Sequence, residues 1–217
     1  MIVLPYKQGS LEWQNARLGI PTASRFDSIL TRKTLKPSAS QTKYLCELVA
    51  ERLLGFPVSE VSTSMMERGS ELEQKAVEEY ELETGHECQA VGFCLDDGRK
   101  WGCSPDRLIG EDGLLEVKCL NAQNHVAALL GYKDDEHFAQ CQGQMMVTGR
   151  SWCDLKFYNP AMPSVTFRAD RDPDYIRILK DALWVFVARL DEDTQRLGIE
   201  WRGASGMTPG TEARRAG

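Results

Sequence analysis

Residues 104–118 read Ser104-Pro105-Asp106-Arg107-Leu108-Ile109-Gly110-Glu111-Asp112-Gly113-Leu114-Leu115-Glu116-Val117-Lys118. Gly110-Glu111-Asp112-Gly113 is a turn-forming cluster of the kind that joins two antiparallel strands. Residues 114–118 read as a short strand, and side chains alternate faces along a strand, so Glu116 and Lys118 point the same way. A hairpin brings Asp106 beside them. Two carboxylates about 4 Å apart repel by about 4 kcal/mol at an effective dielectric near ~20. A cation between them explains such a pair, and Mg²⁺ is the hard, oxygen-seeking candidate. A surface hairpin with charged residues on its solvent face carries the same pattern, so the rest of the chain must decide.

The chain has 217 residues, enough for one well-buried domain. Its hydrophobic share of 42% and charged share of 27% place it among soluble globular proteins. No apolar run approaches a membrane span, and no basic region followed by an apolar stretch opens the chain, so a cytoplasmic location and no membrane partner are expected. Seven cysteines without a C-x-x-C pair argue against a disulfide framework or a zinc ribbon. His86, His125 and His137 lack ligand-like spacing. A net charge of −6 argues against a protein that coats nucleic acid. Charge is unevenly spread, however: residues 1–43 hold seven Lys/Arg against two acids, and residues 44–87 hold eleven glutamates against Arg52, Arg68 and Lys75. A phosphate partner therefore fits the first segment.

Ser10 is an N-cap candidate for a helix carrying Leu11, Trp13 and Arg17, and Pro21-Thr22 opens another with Phe26, Ile29 and Leu30 at helical spacing. Lys33–Ser38 reads as a polar loop. Ser40 is placed to cap a third helix stopped by Gly55, and a long helix from about 64 to 84 closes at Gly85. Strands are expected over 87–95 and 100–109, joined at Asp96-Asp97-Gly98, and then over 114–118. Helices at about 122–130 and 136–148 precede strands at 152–158 and 164–169. Asp172-Pro173 caps a last helix running to about Leu197. Residues 1–202 form a single domain in this reading, and the small-residue tail 203–217 is expected to be disordered. Helices, a block of strands, and returning helices imply an α/β core. Trp101, Trp152 and Trp184 are expected in it.

The amino-terminal pattern Gly9-Ser10-x-x-Trp13-x-x-x-Arg17-x-Gly19-x-x-Thr22-Ala23-Ser24, taken with the 104–118 stretch, resembles the lambda-type (YqaJ-like) viral recombinase exonucleases of the PD-(D/E)xK group. The likeness runs from about residue 9 to about 190, and includes Gly69-x-x-x-Glu73 and Ala139-Gln140-x-Gln142. It implies a restriction-endonuclease-like α/β fold, a central mixed sheet flanked by helices. It also implies Mg²⁺-dependent digestion of one strand of linear duplex DNA, 5′ to 3′, to mononucleotides. Mn²⁺ is the alternative ion, with one or two ions per site. Double-stranded DNA ends bearing a 5′-phosphate would be the substrate, a homotrimer ring the assembly, and a single-strand annealing recombinase the partner. Scattered cysteines disfavour the related iron–sulfur nucleases. A same-fold endonuclease or repair nuclease, or an inactive DNA-binding module, remain the competing readings.

Phosphodiester hydrolysis needs an in-line water and neutralisation of charge on the transition state and leaving oxygen. Asp106, Glu116 and the Val117 carbonyl would hold the metal. Lys118 would orient and help activate the water or stabilise developing charge. The resemblance implies that Glu73 lies near the metals, with Glu71 the alternative, and that Gln142, crowded by Gln140 and Gln144, contacts a phosphate or the water. It implies a 5′-phosphate pocket of Arg17, Ser24 and Ser104, whose guanidinium and hydroxyls suit phosphate oxygens. Arg25, Arg32, Lys33 and Lys36 are candidates for duplex backbone contacts, and the resemblance implies that Met66, after Met65, forms an apolar wedge between the last base pairs.

Overall fold

A computed structural model describes residues 1–58, 63–132 and 137–201, the side chains of 63–70 excepted. The expected tail at 203–217 lies outside the described residues. In chain order the elements are β1 (Ile2–Leu4), α1 (Leu11–Arg17), a 3₁₀ turn (Ala23–Ser28), β2 (Leu30–Thr31), β3 (Lys36–Pro37), α2 (Gln41–Leu54) and α3 (Thr63–Thr84). Then come β4 (Cys88–Ala90), β5 (Phe93–Leu95), β6 (Gly102–Cys103), β7 (Arg107–Ile109), β8 (Gly113–Cys119), α4 (Ala122–Leu129), α5 (Phe138–Thr148), β9 (Trp152–Tyr158), β10 (Val165–Asp170) and α6 (Pro173–Arg196). No helix among the described residues is long and apolar enough to cross a membrane.

The central sheet has five strands in the order β10-β9-β8-β7-β4. It is mixed: β8 and β9 run parallel, and the other pairs antiparallel. Parallel neighbours need a crossover, and α4 and α5 supply it. Alternation along β8 decides what each face meets. Leu115 and Val117 pack with Ile109 under Ala76, Val77 and Tyr80 of α3. Leu114 joins Cys153, Leu155 and Phe157 against Ala128 of α4 and Cys141 and Met145 of α5. Leu114 and Leu115 are both 0% exposed, and each stabilises the fold by about 1.5–3 kcal/mol. A further core joins the 3₁₀ turn, α2, α5 and α6 through Phe26, Leu48, Val147, Leu183 and Phe186.

Four of the helix ends follow their sequence signals. Ser10 Oγ accepts from Trp13 N at 3.2 Å, and Asp172 Oδ1 from Tyr175 N at 2.9 Å. Gly55 and Gly85 end α2 and α3 with φ of 75° and 70°. Ser40, in contrast, stands before α2 with no side-chain cap hydrogen bond. The expected helix after Pro21 is only the 3₁₀ turn, and Leu30 has already entered β2. The polar stretch after Lys33 is the end of a hairpin in which Thr31 pairs with Lys36.

The expected hairpin of 87–95 with 100–109 is divided between two sheets. Its distal part, β5 with β6, forms a three-stranded sheet with β1, a strand absent from the sequence reading. Its proximal part, β4 with β7, joins the central sheet. One strand breaks at Gly92, where a Cβ would lie 2.2 Å from the Leu4 carbonyl oxygen. The other breaks at Ser104-Pro105-Asp106, because proline has no N–H for the ladder. Trp101 is 3% exposed, as a core residue should be, whereas Trp184 meets its ring edge-on at 4.9 Å and remains 47% exposed.

Candidate active site

Beyond the Pro105 break, the Asp106 side chain does what the ladder cannot: its Oδ2 accepts from the Val117 N–H at 2.6 Å. That bond sets the Asp106 carboxylate against β8 beside Glu116. Lys118, two positions on and on the same face, donates Nζ to Glu116 Oε1 at 2.6 Å. The hairpin thus assembles Asp106, Glu116 and Lys118 as their spacing predicts. Glu116 is 3% exposed. Burial raises the Asp106 carboxyl well above the usual carboxylate range, and the Glu116 and Glu73 carboxylates add to the shift. For Lys118 burial works against the charge, but Glu116 and Asp106 outweigh it and hold its pKa above the ordinary value.

Glu73 approaches this group from α3. Burial raises its pKa, Arg107 opposes the shift, and the charges of Glu116 and Lys118 both act on it. Its neighbour Glu71 is exposed. Arg107 donates to Glu73 Oε1 at 2.9 Å, a contact absent from the sequence reading.

Gln142 is not at this site. It is 0% exposed, but its amide bridges backbone: Nε2 donates to the Asp170 carbonyl at 2.8 Å, and Oε1 accepts from Asp172 N at 2.9 Å. It joins α5 to the β10–α6 connection. The glutamines on the carboxylate are Gln140, whose Nε2 donates to Glu116 Oε1 at 2.5 Å, and Gln144, whose Nε2 donates to Oε2 at 2.6 Å. The cause is helical geometry. Residues four apart share a face, whereas residue 142 is turned about 200° from 140.

A cavity of about 580 Å³ has walls that include Trp13, Arg17, Ser24, Arg25, Glu47 and Glu51. Arg17 lies flat over the Trp13 ring at 3.9 Å and carries no salt bridge among the described residues. Burial depresses its pKa, and Glu116 is close enough to act on it in the opposite sense. Ser24 joins it there, its Oγ 3.3 Å from Thr22 Oγ1. Ser104 is outside the cavity wall and instead accepts from Trp13 Nε1 at 2.9 Å. This bond ties the cavity to the loop that carries Asp106.

The remaining basic candidates are separated by their partners. Arg25 is paired with Glu47 at 3.0 and 3.2 Å and lies over Tyr44. Arg32 stacks on Phe138 at 3.8 Å. Lys33 and Lys36 are exposed on the β2–β3 hairpin. The Met65 and Met66 side chains lie outside the described residues.

Among the described residues, no three of His, Cys, Asp and Glu converge closely enough to hold an ion by themselves. Mg²⁺ asks for less: one or two carboxylates, with waters and substrate phosphate oxygens completing the shell. Asp106 and Glu116 are hard oxygen donors that fit this. Three donors occupy Glu116, two of them on Oε1. A carboxylate has about four lone-pair sites, so Oε2 keeps one open.

Residues 12–151 match the model of the YqaJ-like viral recombinase domain. Among solved structures, the chain is similar to an alkaline exonuclease (LHK-Exo) from Laribacter hongkongensis. The two share 34% identity over 87% of this chain and 96% of that one, with a TM-score of 0.78. The same enzyme in complex with dAMP gives 36% identity over the same shares and a TM-score of 0.77. A phage-related exonuclease from Haemophilus somnus 129PT shares the fold at 14% identity, covering 90% of this chain and 97% of that one, with a TM-score of 0.64. Comparison with curated proteins gave no match.

Proposed function

The chain belongs to the YqaJ-like viral recombinase family, and we propose that it is a Mg²⁺-dependent exonuclease that digests the 5′-ended strand of linear duplex DNA. It would release mononucleotides and leave 3′ overhangs for recombination. One observation carries this reading: the cavity that holds Arg17 is tied, through the Trp13–Ser104 hydrogen bond, to the loop that carries Asp106.

Asp106, Glu116 and the Val117 carbonyl would hold the metal, which when bound supplies Lewis-acid polarisation of the phosphate and an acidified water. Gln140 and Gln144 fix the Glu116 carboxylate from both oxygens. Lys118, kept charged by Glu116 and Asp106, orients the water and stabilises charge that develops on the phosphate oxygens. Arg17 and Ser24 take the terminal 5′-phosphate, the guanidinium offering a planar fork of donors. Holding the end fixes which strand enters, and drawing the new 5′-phosphate forward after each cut gives stepwise movement. A ring of three copies and a single-strand annealing partner belong to the same reading. Exposed apolar residues on and after α4, with Leu129 at 41%, Leu130 at 61% and Tyr132 at 76%, offer surface for such contacts.

The test is digestion of linear duplexes bearing a 5′-phosphate or a 5′-hydroxyl, in Mg²⁺ or EDTA, with closed circular DNA alongside. Mononucleotides from the 5′-ended strand, intact circles and no product in EDTA are expected. Mononucleotides from the 3′-ended strand, or cleavage in EDTA, would overturn the proposal. Sedimentation at the mass of three chains checks the ring.

A further inference from the structure

Arg107 directly follows Asp106 and has no part in the chemistry set out above. Its side chain is only 14% exposed. It leaves β7 on the face that also carries Ile109, toward α3, and its guanidinium makes three bonds. Nη1 donates to Glu73 Oε1 at 2.9 Å and to the carbonyl oxygen of Asp106 at 2.6 Å, and Nη2 donates to Gln74 Oε1 at 3.0 Å. One planar group therefore joins the Asp106 loop to two successive residues of α3. A lysine, with a single nitrogen, cannot span all three acceptors.

Glu73 needs such a hold. Its carboxylate stands in the field of Glu116, which repels it, and a glutamate side chain free to rotate would turn outward as exposed Glu71 and Glu78 do. Arg107 opposes this by geometry and by charge. The carboxyl groups of Asp106, Glu116 and Glu73 outnumber the cations Lys118 and Arg107, an acidic surplus that suits a divalent cation.

We propose that Arg107 is a positioning residue that clamps the Glu73 carboxylate of α3 to the Asp106 loop, and so presents Glu73 to the divalent cation and its waters. This rests on the metal-dependent nuclease reading above. The clamp reaches the cation through Glu73, its bonds to Gln74 and the Asp106 carbonyl serving as anchors. Arg107→Lys keeps the charge and loses the fork, and Gln74→Ala removes one anchor at an exposed side chain that the fold does not need.

The experiment titrates Mn²⁺ into the DNA-free full chain by calorimetry and measures single-turnover cleavage in parallel. Arg107→Lys should weaken half-saturation by Mn²⁺ about 10- to 100-fold, the usual effect of losing a group that orients a metal ligand. Gln74→Ala should move it the same way by a smaller factor. KM for DNA should stay within about twofold, because the clamp faces α3 rather than the Arg17 cavity. Arg107→Lys combined with Glu73→Gln should be no worse than Glu73→Gln alone. Additive losses in that cycle, or unchanged Mn²⁺ binding in both Arg107→Lys and Gln74→Ala, would overturn the proposal. Wild-type protein that binds Mn²⁺ in an Arg107-dependent way but leaves linear DNA intact would sink the exonuclease reading and keep the clamp. Wild-type protein that binds no Mn²⁺ would sink both.

Discussion

Replacing Arg17 with methionine removes the charge and fork of the end-holding cavity while keeping an apolar stem over Trp13. The guanidinium lies 3.9 Å above that ring and forms no salt bridge among the described residues, Glu51 and Glu116 acting on it only through their charge, so a phosphate entering the cavity breaks no ion pair among the described residues. Two charge-assisted hydrogen bonds contribute about 1.5–3 kcal/mol each. The cavity opens to solvent, so the low end applies, about 3 kcal/mol in total, or roughly a hundredfold in rate. Single-turnover digestion of duplexes with 5′-phosphate and 5′-hydroxyl ends measures this directly. Wild-type protein should favour the phosphate by about that factor. In Arg17→Met the two rates should converge on the slower wild-type value, and loss of the Trp13 stack should cost only about 0.5–1 kcal/mol of stability. If Arg17→Met slows hydroxyl-ended DNA as much as phosphate-ended DNA, Arg17 is structural. If the preference survives, the phosphate is held elsewhere.

Lys118→Ala should abolish cleavage and leave DNA binding in Ca²⁺ intact by gel shift; joint loss of both would assign Lys118 to the fold. Gln142→Ala removes two part-buried hydrogen bonds, each contributing about 0.5–1.5 kcal/mol, so it should lower Tm with little change in activity per folded molecule. Gln140→Ala should do the reverse, and equal loss of activity in the two variants would contradict the face assignment. For Asp106, burial together with Glu116 and Glu73 puts the folded pKa well above the unfolded value of about 3.9. The folded state then binds more protons, and stability falls as pH rises through that window. In EDTA, Tm should therefore decline with pH until Asp106 is ionised, Asp106→Asn should flatten the decline, and Mg²⁺ should raise Tm most at high pH. A pH-independent Tm in EDTA would refute the account.

The parts of this molecule that were legible in its sequence are those where a local rule acts alone. The β7–β8 turn follows from Gly110 to Gly113, the α6 start from Asp172-Pro173, and the shared face of Glu116 and Lys118 from strand alternation. Long-range pairing was not legible. Ile2–Leu4 finds its partner in β5, more than 80 residues away, and nothing local in residues 1–6 announces a strand. The break at Gly92 has the same origin, since only the folded chain brings the Leu4 carbonyl to that point. The break at Pro105 was open to inference, because a proline within a strand pattern demotes it. Arg107 carried a weaker signal: strand alternation puts it on the Ile109 face, but the partner waiting there is a feature of α3.

The glutamines of α5 separate what residue type reveals from what register reveals. Three amides at positions 140, 142 and 144 mark a helix with polar work to do, but type alone cannot rank them. Helical spacing pairs 140 with 144 and excludes 142 from their face. Which face meets β8 then follows from the apolar residues between them. Cys141 and Met145 pack onto Leu114 and Leu155, while Gly143 lies against Phe26, where a Cβ would come within 2.4 Å of the ring. The helix is thus wedged between the sheet and the 3₁₀ turn. The same wedge turns Gln140 and Gln144 onto Glu116 and carries the segment beginning with Ala23 and Ser24 to the Arg17 cavity. Packing of apolar residues on either side of α5 therefore sets the distance between the end-holding and bond-breaking groups, and residue identities at the site cannot encode that distance by themselves.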